Sequence, residues 1–477
     1  MYLSKLEHYI DGKWVEPASG RASDVVNPST NAAIGKLGHA SKADLDKALA
    51  AAQKGFETWR KVSAFERGKI LKKAADLLRS RADEVAKVLT LEQGKVLAEA
   101  KIEVVGSADI IEWFAEEGRR AYGRIIPARA EGVRNMVIQE PVGPVAGFSP
   151  WNFPVSQAAR KIGGALAAGC SIIIKCPEET PGSPIGFVKC FHDAGVPAGV
   201  INLVYGVPAE ISEYLIPSSI IRKISFTGSV PVGKHLNALA ASHMKRATME
   251  LGGHAPVMIF DDIETDRVAT ILHGMKTRNA GQVCVSPTRF FVHEKVYDKF
   301  VGKFTDLMAA TKVGDGLDPA SKMGPLANPR RIAAMESFVQ DAQEKGAKVA
   351  TGGKRIGNQG NYFEPTVITD VPKSARILSE EPFGPVAVML RFKDAEEALK
   401  EANSLPFGLA SYAFTGDARM ATRVADTLDS GMVSINGFGI ALPETPFGGV
   451  KDSGFGHEGG IEGLSAYLSA KFVSQIS

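Results

Sequence analysis

The chain has 477 residues, of which 44% are hydrophobic, enough to build more than one core, and its length suggests about three domains of ordinary size. Its 56 basic and 53 acidic residues leave a formal net charge of +3 with no basic stretch, which argues against an electrostatic nucleic-acid surface. The four cysteines, Cys170, Cys176, Cys190 and Cys284, make no C-x-x-C pair and no Cys/His cluster of zinc spacing, so neither a disulfide framework nor a metal site is expected.

The amino terminus lacks the apolar core of a signal peptide, and no window holds about eighteen consecutive apolar residues; a soluble, cytoplasmic protein is expected. Ser41 is placed to cap a helix whose apolar stripe runs through Leu45, Ala48, Leu49, Ala52, Phe56 and Trp59. Two more helical stretches are expected, to about Arg120. The segment Tyr122 to Gln139 has strand character near its end and reads as an arm or hairpin. Short apolar runs then follow at Val145 to Phe148, Ser171 to Ile174, Ile201 to Val204, Ile224 to Phe226 and Val257 to Phe260, separated by segments such as Gln157 to Ala168 that are long enough for helices. That alternation predicts an α/β fold with a parallel sheet covered by helices. A second unit, beginning near Leu251, repeats strand and helix signals at Arg289 to Val292 and Val296 to Thr311, and Thr351 to Glu364 reads as a surface turn region.

Two positions stand out chemically. Cys284 follows Arg278-Asn279-Ala280-Gly281-Gln282-Val283, and Glu250 lies in Met249-Glu250-Leu251-Gly252-Gly253. A thiolate attacks carbon near neutral pH and a carboxylate can then activate water, although an isolated cysteine more often only packs. The strand-like Arg222 to Phe226 runs into Thr227-Gly228-Ser229-Val230-Pro231-Val232-Gly233, a glycine turn and helix start able to take a phosphate, though its spacing is not G-x-G-x-x-G. Lys175 and Glu178 follow an apolar strand at the end where α/β proteins collect ligands.

These two segments, together with Pro150-Trp151-Asn152-Phe153-Pro154, Lys175-Cys176-Pro177-Glu178, Phe226-Thr227-Gly228-Ser229, Glu381-Pro382-Phe383-Gly384-Pro385 and Pro446-Phe447-Gly448-Gly449-Val450-Lys451, resemble the signatures of the aldehyde dehydrogenase superfamily, in the family's order. The resemblance implies a variant Rossmann cofactor domain (1–120 and 141–251), an α/β catalytic domain (252–452), a return segment (453–464) and oligomerisation elements (121–140 and 465–477) that join subunits into homodimers or homotetramers. It implies Cys284 as nucleophile, Glu250 as base for the deacylating water, and Asn152 with the Cys284 N–H as an oxyanion hole.

For the cofactor, the resemblance implies that Lys175 and Glu178 hold the adenosine ribose, Ser229 and Gly228 the pyrophosphate, and Glu381 and Phe383 the nicotinamide ribose, with Trp151 and Gly252 also in the cofactor site. A carboxylate at Glu178 favours NAD and repels the 2′-phosphate of NADP, which remains a second acceptor. Lys161 and Glu458 match supporting family positions. Arg160 and Arg278 match the carboxylate clamp of succinate-semialdehyde dehydrogenases, while the wider sequence is as similar to 2-oxoglutarate-semialdehyde (2,5-dioxopentanoate) dehydrogenases. Ile440-Ala441-Leu442-Pro443 lacks the serine that the succinate enzymes often carry there, so activity on both semialdehydes is expected. The competing readings are a broad-specificity aldehyde dehydrogenase, a coenzyme A-acylating relative, disfavoured by Glu250, and a non-catalytic structural relative, disfavoured by Cys284, Glu250 and Asn152 together.

Overall fold

The computed structural model describes residues 2–476. Ser41 caps the helix Lys42–Trp59 in a capping box: its hydroxyl accepts from the Asp44 N–H while the Asp44 carboxylate accepts from the Ser41 N–H. Where two further helices were expected there are three, Ala64–Ser80, Ala82–Gln93 and Leu97–Glu117. The second ends at Gly94, whose φ of 98° a side chain would resist, and where an added Cβ would lie 2.8 Å from Pro325 and 2.9 Å from Pro28.

An eight-stranded sheet forms the first layer system. Its five central strands are parallel, in the spatial order Ile201–Val204, Ile172–Lys175, Val145–Phe148, Lys223–Thr227, Arg246–Glu250. All five expected apolar runs are strands, and four of them are in this sheet. The fifth, Ala255–Ile259, lies in a separate seven-stranded sheet with Pro287–His293, Val386–Phe392 and Ala410–Phe414, all parallel. The chain returns late to the first sheet, where Gly454–Phe455 pairs with Met249 and Glu250.

Helix Pro154–Ala168 is buried along its whole length except Ser156, packed in a core with the helices of residues 64–117 on one face of the first sheet. Helix Lys42–Trp59 packs on the other face. Beyond the two sheets, Val133–Pro141 pairs with both Arg124–Ile126 and the C-terminal strand Leu468–Ile476, making a three-stranded ribbon. Among the described residues no helix is long and apolar enough to cross a membrane.

Candidate active site

In the first sheet the direction of strand succession reverses between Val145–Phe148 and Lys223–Thr227, which are neighbours in space. Ligands of open α/β sheets bind at the carboxyl ends of strands beside such a reversal, because the connecting loops diverge to opposite faces there and leave a crevice. Following the first strand come Pro150, Trp151 and Asn152; following the second, Gly228 and Ser229; and Glu250 ends the strand beyond. All six line one cleft of about 460 Å³, with Gly252, Cys284, Glu381 and Phe383.

The segment before Cys284 is bent tightly. Asn279, Ala280 and Gly281 have φ of 47°, 51° and 70°, so three successive residues are left-handed, a conformation glycine and asparagine accept but the Ala280 side chain resists. Cross-links hold the bend in place. The Asn279 N–H donates to Glu99 Oε2 (2.9 Å), Gln282 Nε2 donates to the Asn279 carbonyl (3.0 Å), and Gln282 Oε1 accepts from the Ala327 N–H (3.0 Å). An added Cβ at Gly281 would sit 2.1 Å from the Gly384 carbonyl oxygen, so this loop touches the one carrying Glu381 and Phe383.

Asn152 is buried and tied to the same loop. Its Nδ2 donates to the Gln282 carbonyl (3.1 Å), which leaves the second amide proton available, and its own carbonyl accepts from Lys95 Nζ (2.7 Å) and Asn279 Nδ2 (3.1 Å). Lys95 pairs with Glu103 (2.5 Å), whose other oxygen accepts from the Val155 and Ser156 N–H groups at the start of helix Pro154–Ala168. A fully buried ion pair with all its partners met therefore fixes the turn that carries Asn152.

Burial shifts the acids of the cleft toward their neutral forms. Burial pushes the Cys284 thiol up to about 12, helped by the nearby Glu381 and Glu250 carboxylates and opposed by its own main-chain N–H and by Arg160. Burial and the Glu458 carboxylate raise Glu250 well above the carboxylate range. Both Glu250 carboxyl oxygens are buried with no hydrogen-bond partner in the protein, leaving them open to a water or a reacting group. Burial likewise raises Glu381 to about 8, against the Gly253 N–H, Arg331 and Lys276, which favour its anion.

Other expected residues lie around this cleft rather than in it. Lys161 is buried and donates to Thr227 Oγ1 (2.6 Å) and Glu458 Oε1 (2.5 Å), and that same carboxyl oxygen accepts from Ser225 (2.6 Å). Both Lys161 and Glu458 thus brace the cleft strand from behind. Lys175 and Glu178 form an ion pair, and Glu178 borders an adjoining recess that shares Asn328 with the cleft. Ser229 stands at the start of helix Val230–Ser242, yet its side chain makes no cap hydrogen bond. Hydroxyl and helix N–H groups are then free to meet a phosphate, so the residues present fit a dinucleotide.

Cys284 packs against an apolar cluster containing Phe153, Val283, Val285, Ile440 and Phe447. Arg160 and Arg278 each lie over one of these rings: Arg160 over Phe447 (4.7 Å) and Arg278 over Phe153 (4.9 Å). Their donors are not equally free. The guanidinium of Arg160, 4% exposed, donates to the Glu458 and Ala441 carbonyls, whereas that of the exposed Arg278 makes no hydrogen bond or ion pair among the described residues.

Residues 14–473 match the family described as "Aldehyde dehydrogenase family". The chain belongs to the aldehyde dehydrogenase family. It is 46% identical over 99% of its length, and 98% of the relative's, to 4-(hydroxymethyl)benzenesulfonate dehydrogenase of Comamonas testosteroni. With the same coverage it is 42% identical to a glutarate-semialdehyde dehydrogenase of Pseudomonas putida. The crystal structure of a succinate-semialdehyde dehydrogenase from Burkholderia pseudomallei superposes with a TM-score of 0.97 at 42% identity, covering 99% of this chain and 98% of that one.

This aldehyde dehydrogenase is therefore an oxidoreductase with the family fold, and its family uses NAD(P). Several residues that shape its cleft escaped the sequence reading. Lys95 and Glu103 carry no local motif, and Asn279 stands inside the segment before Cys284 with no role of its own read from it; their part appears only when distant segments meet. Arg331, in the cleft wall, lies in the first turn of helix Pro329–Glu344, where an arginine ordinarily reads as solvated.

Proposed function

We propose that this aldehyde dehydrogenase oxidises a short aldehyde bearing a carboxylate at its far end, succinate semialdehyde or 2-oxoglutarate semialdehyde, to the dicarboxylic acid. The observation that carries the reading is the pair of guanidinium groups stacked on Phe447 and Phe153, on rings of the apolar cluster that holds Cys284. The relatives named for glutarate and succinate semialdehydes point to the same substrate class.

Once the Cys284 thiol has lost its proton to water, Sγ would bond to the aldehyde carbon, and the resulting oxyanion would accept from the free Asn152 amide proton and the Cys284 N–H. Bound NAD(P) supplies the acceptor for the hydride that this tetrahedral carbon releases. Glu250, once ionised, takes a proton from water, the water attacks the thioester carbon, and the acid departs as the Cys284 thiol is restored. Ser229 and Gly228 would hold the pyrophosphate, Lys175 and Glu178 the adenosine ribose, and Glu381, Phe383, Trp151 and Gly252 the nicotinamide half. Glu178 supports NAD as the preferred acceptor over NADP. The ribbon of residues 124–126, 133–141 and 468–476, with Ile125 76% and Phe472 61% exposed, would join subunits into a homodimer or homotetramer.

Steady-state kinetics of Arg278→Ala and Arg160→Ala on both semialdehydes and on butanal test the clamp. A charge-assisted contact is worth about 1.5 to 3 kcal/mol, so Arg278→Ala should lower kcat/KM for the semialdehydes by roughly ten- to a hundredfold and leave butanal nearly unaffected. Arg160→Ala also frees the Ala441 carbonyl, so a smaller loss on butanal accompanies its loss on semialdehydes. Equal losses on all three aldehydes with Arg278→Ala would replace the clamp with a general aldehyde dehydrogenase.

A further inference from the structure

We propose that Arg331 is a positioning residue for hydride transfer: it holds the turn carrying Glu381 and Phe383 in the conformation that presents both to the nicotinamide half of the cofactor. The inference rests on the assignment of those two residues to the cofactor and extends it to a side chain that no motif marks.

Phe383 has a φ of 48°, in the left-handed region that a bulky side chain resists, so the turn needs outside support to keep this shape. Arg331 supplies it from the opposite wall. One guanidinium nitrogen, Nη2, donates to the Pro382 carbonyl and to the Phe383 carbonyl (3.1 Å), gripping the chain on both sides of the strained peptide. Its guanidinium also lies 5.7 Å from the centre of the Phe383 ring, whose edge or face meets Trp151 at 5.6 Å and an interplanar angle of 89°. Arg331 and Glu381 interact electrostatically, each favouring the other's charged form.

Space on the other side of the turn is tight. Glu381 Oε2 is so close to the main chain of Gly252 that a Cβ there would lie 2.3 Å away, and Gly384 abuts the nucleophile loop at Gly281. The turn is thus wedged between Gly252, the loop of Cys284 and Arg331, and Arg331 alone of these supplies directional hydrogen bonds from a side chain to its carbonyls. Arg331 Nε is buried without a partner, a cost that a merely space-filling side chain would avoid. A residue placed this way acts on how well the nicotinamide is aligned more than on how tightly the dinucleotide binds, because Arg331 bonds to none of the residues assigned to the rest of the dinucleotide: Gly228 and Ser229 on another loop of the cleft, Lys175 and Glu178 outside it.

The test is Arg331→Ala in the full chain, with kcat, KM for aldehyde, cofactor Kd from quenching of protein fluorescence, and the deuterium isotope effect on kcat using aldehyde deuterated at the carbonyl carbon. We expect kcat to fall at least about tenfold and the isotope effect to rise, as hydride transfer becomes limiting, with cofactor Kd changed less than about threefold. Arg331→Lys, which keeps the charge and one donor, should recover part of kcat. If Arg331→Ala does not fold, Arg331→Lys carries the test, with a smaller kcat loss and a raised isotope effect expected. An unchanged isotope effect and kcat, or a lowered Tm alone, overturns the proposal. Glu381→Gln separates the two ideas: unimpaired Glu381→Gln removes the cofactor assignment itself, whereas impaired Glu381→Gln beside an unaffected Arg331 variant removes only the role of Arg331.

Discussion

Replacing Gly252 with alanine should damage catalysis through a single methyl group. The φ of Gly252 is not in the left-handed region, so alanine meets no backbone strain, but its Cβ would lie 2.3 Å from Glu381 Oε2 and 3.3 Å from Glu381 Cδ. Ordinary contact requires the carboxylate to retreat by about 1 Å, and a misplacement of that size near the reacting groups costs on the order of a hundredfold, about 2.7 kcal/mol of barrier. The assay is kcat with saturating aldehyde and cofactor, together with Tm. We expect kcat to fall about a hundredfold with Tm changed by no more than a few degrees, because the Ser453 hydroxyl bond to the Gly252 carbonyl (2.7 Å) remains. Glu381→Asp in the same chain shortens the offending side chain by one methylene, about 1.5 Å, and should restore part of the loss. Full activity in Gly252→Ala would refute the reasoning, since the carboxylate would then have moved without consequence.

Cys284→Ala should abolish aldehyde oxidation and leave cofactor binding intact, while Glu250→Gln should still acylate, giving a burst of reduced cofactor equal to the enzyme concentration followed by slow turnover; near-normal turnover by Cys284→Ala would end the covalent mechanism. Because burial raises both the Cys284 thiol, to about 12, and Glu250, their reactive anions become commoner as pH rises, so kcat/KM measured from pH 6 to 9 should climb throughout, and a maximum near pH 6 would contradict this. Comparison of kcat/KM for the two cofactors should favour NAD, and Glu178→Gln should narrow the gap by removing the charge that repels a 2′-phosphate; a wild-type preference for NADP would reverse the assignment of Glu178.

What the sequence made legible was whatever a short window encodes. Apolar runs ended by turn residues became strands, because a strand buried on both faces needs no partner pattern to declare itself, and Ser41 with Asp44 spelled out its cap within four positions. The sharp bend before Cys284 was hidden for the opposite reason: Ala280 is not a turn-forming residue, and its φ of 51° is kept by contacts of its neighbours, Asn279 to Glu99 and Gly281 against Gly384, both remote in sequence. The same holds for charge. Lys95, Glu103, Arg160, Lys161 and Arg331 all sit in segments where a charged side chain would ordinarily face water, yet each is drawn inward by a partner far along the chain, such as the Asn152 carbonyl, Glu458 or the Pro382 carbonyl. Burying a charge is costly unless its hydrogen-bonding partners are met, so these residues are tolerated only where the fold supplies them: main-chain carbonyls of the turns at Asn152, Glu458 and Phe383, the Glu103 and Glu458 carboxylates, and for Glu103 the Val155 and Ser156 N–H groups. Of these charges, the family resemblance marked Arg160 and Lys161 while Lys95, Glu103 and Arg331 carried no mark at all, and all five owe their geometry to contacts that only the assembled structure supplies.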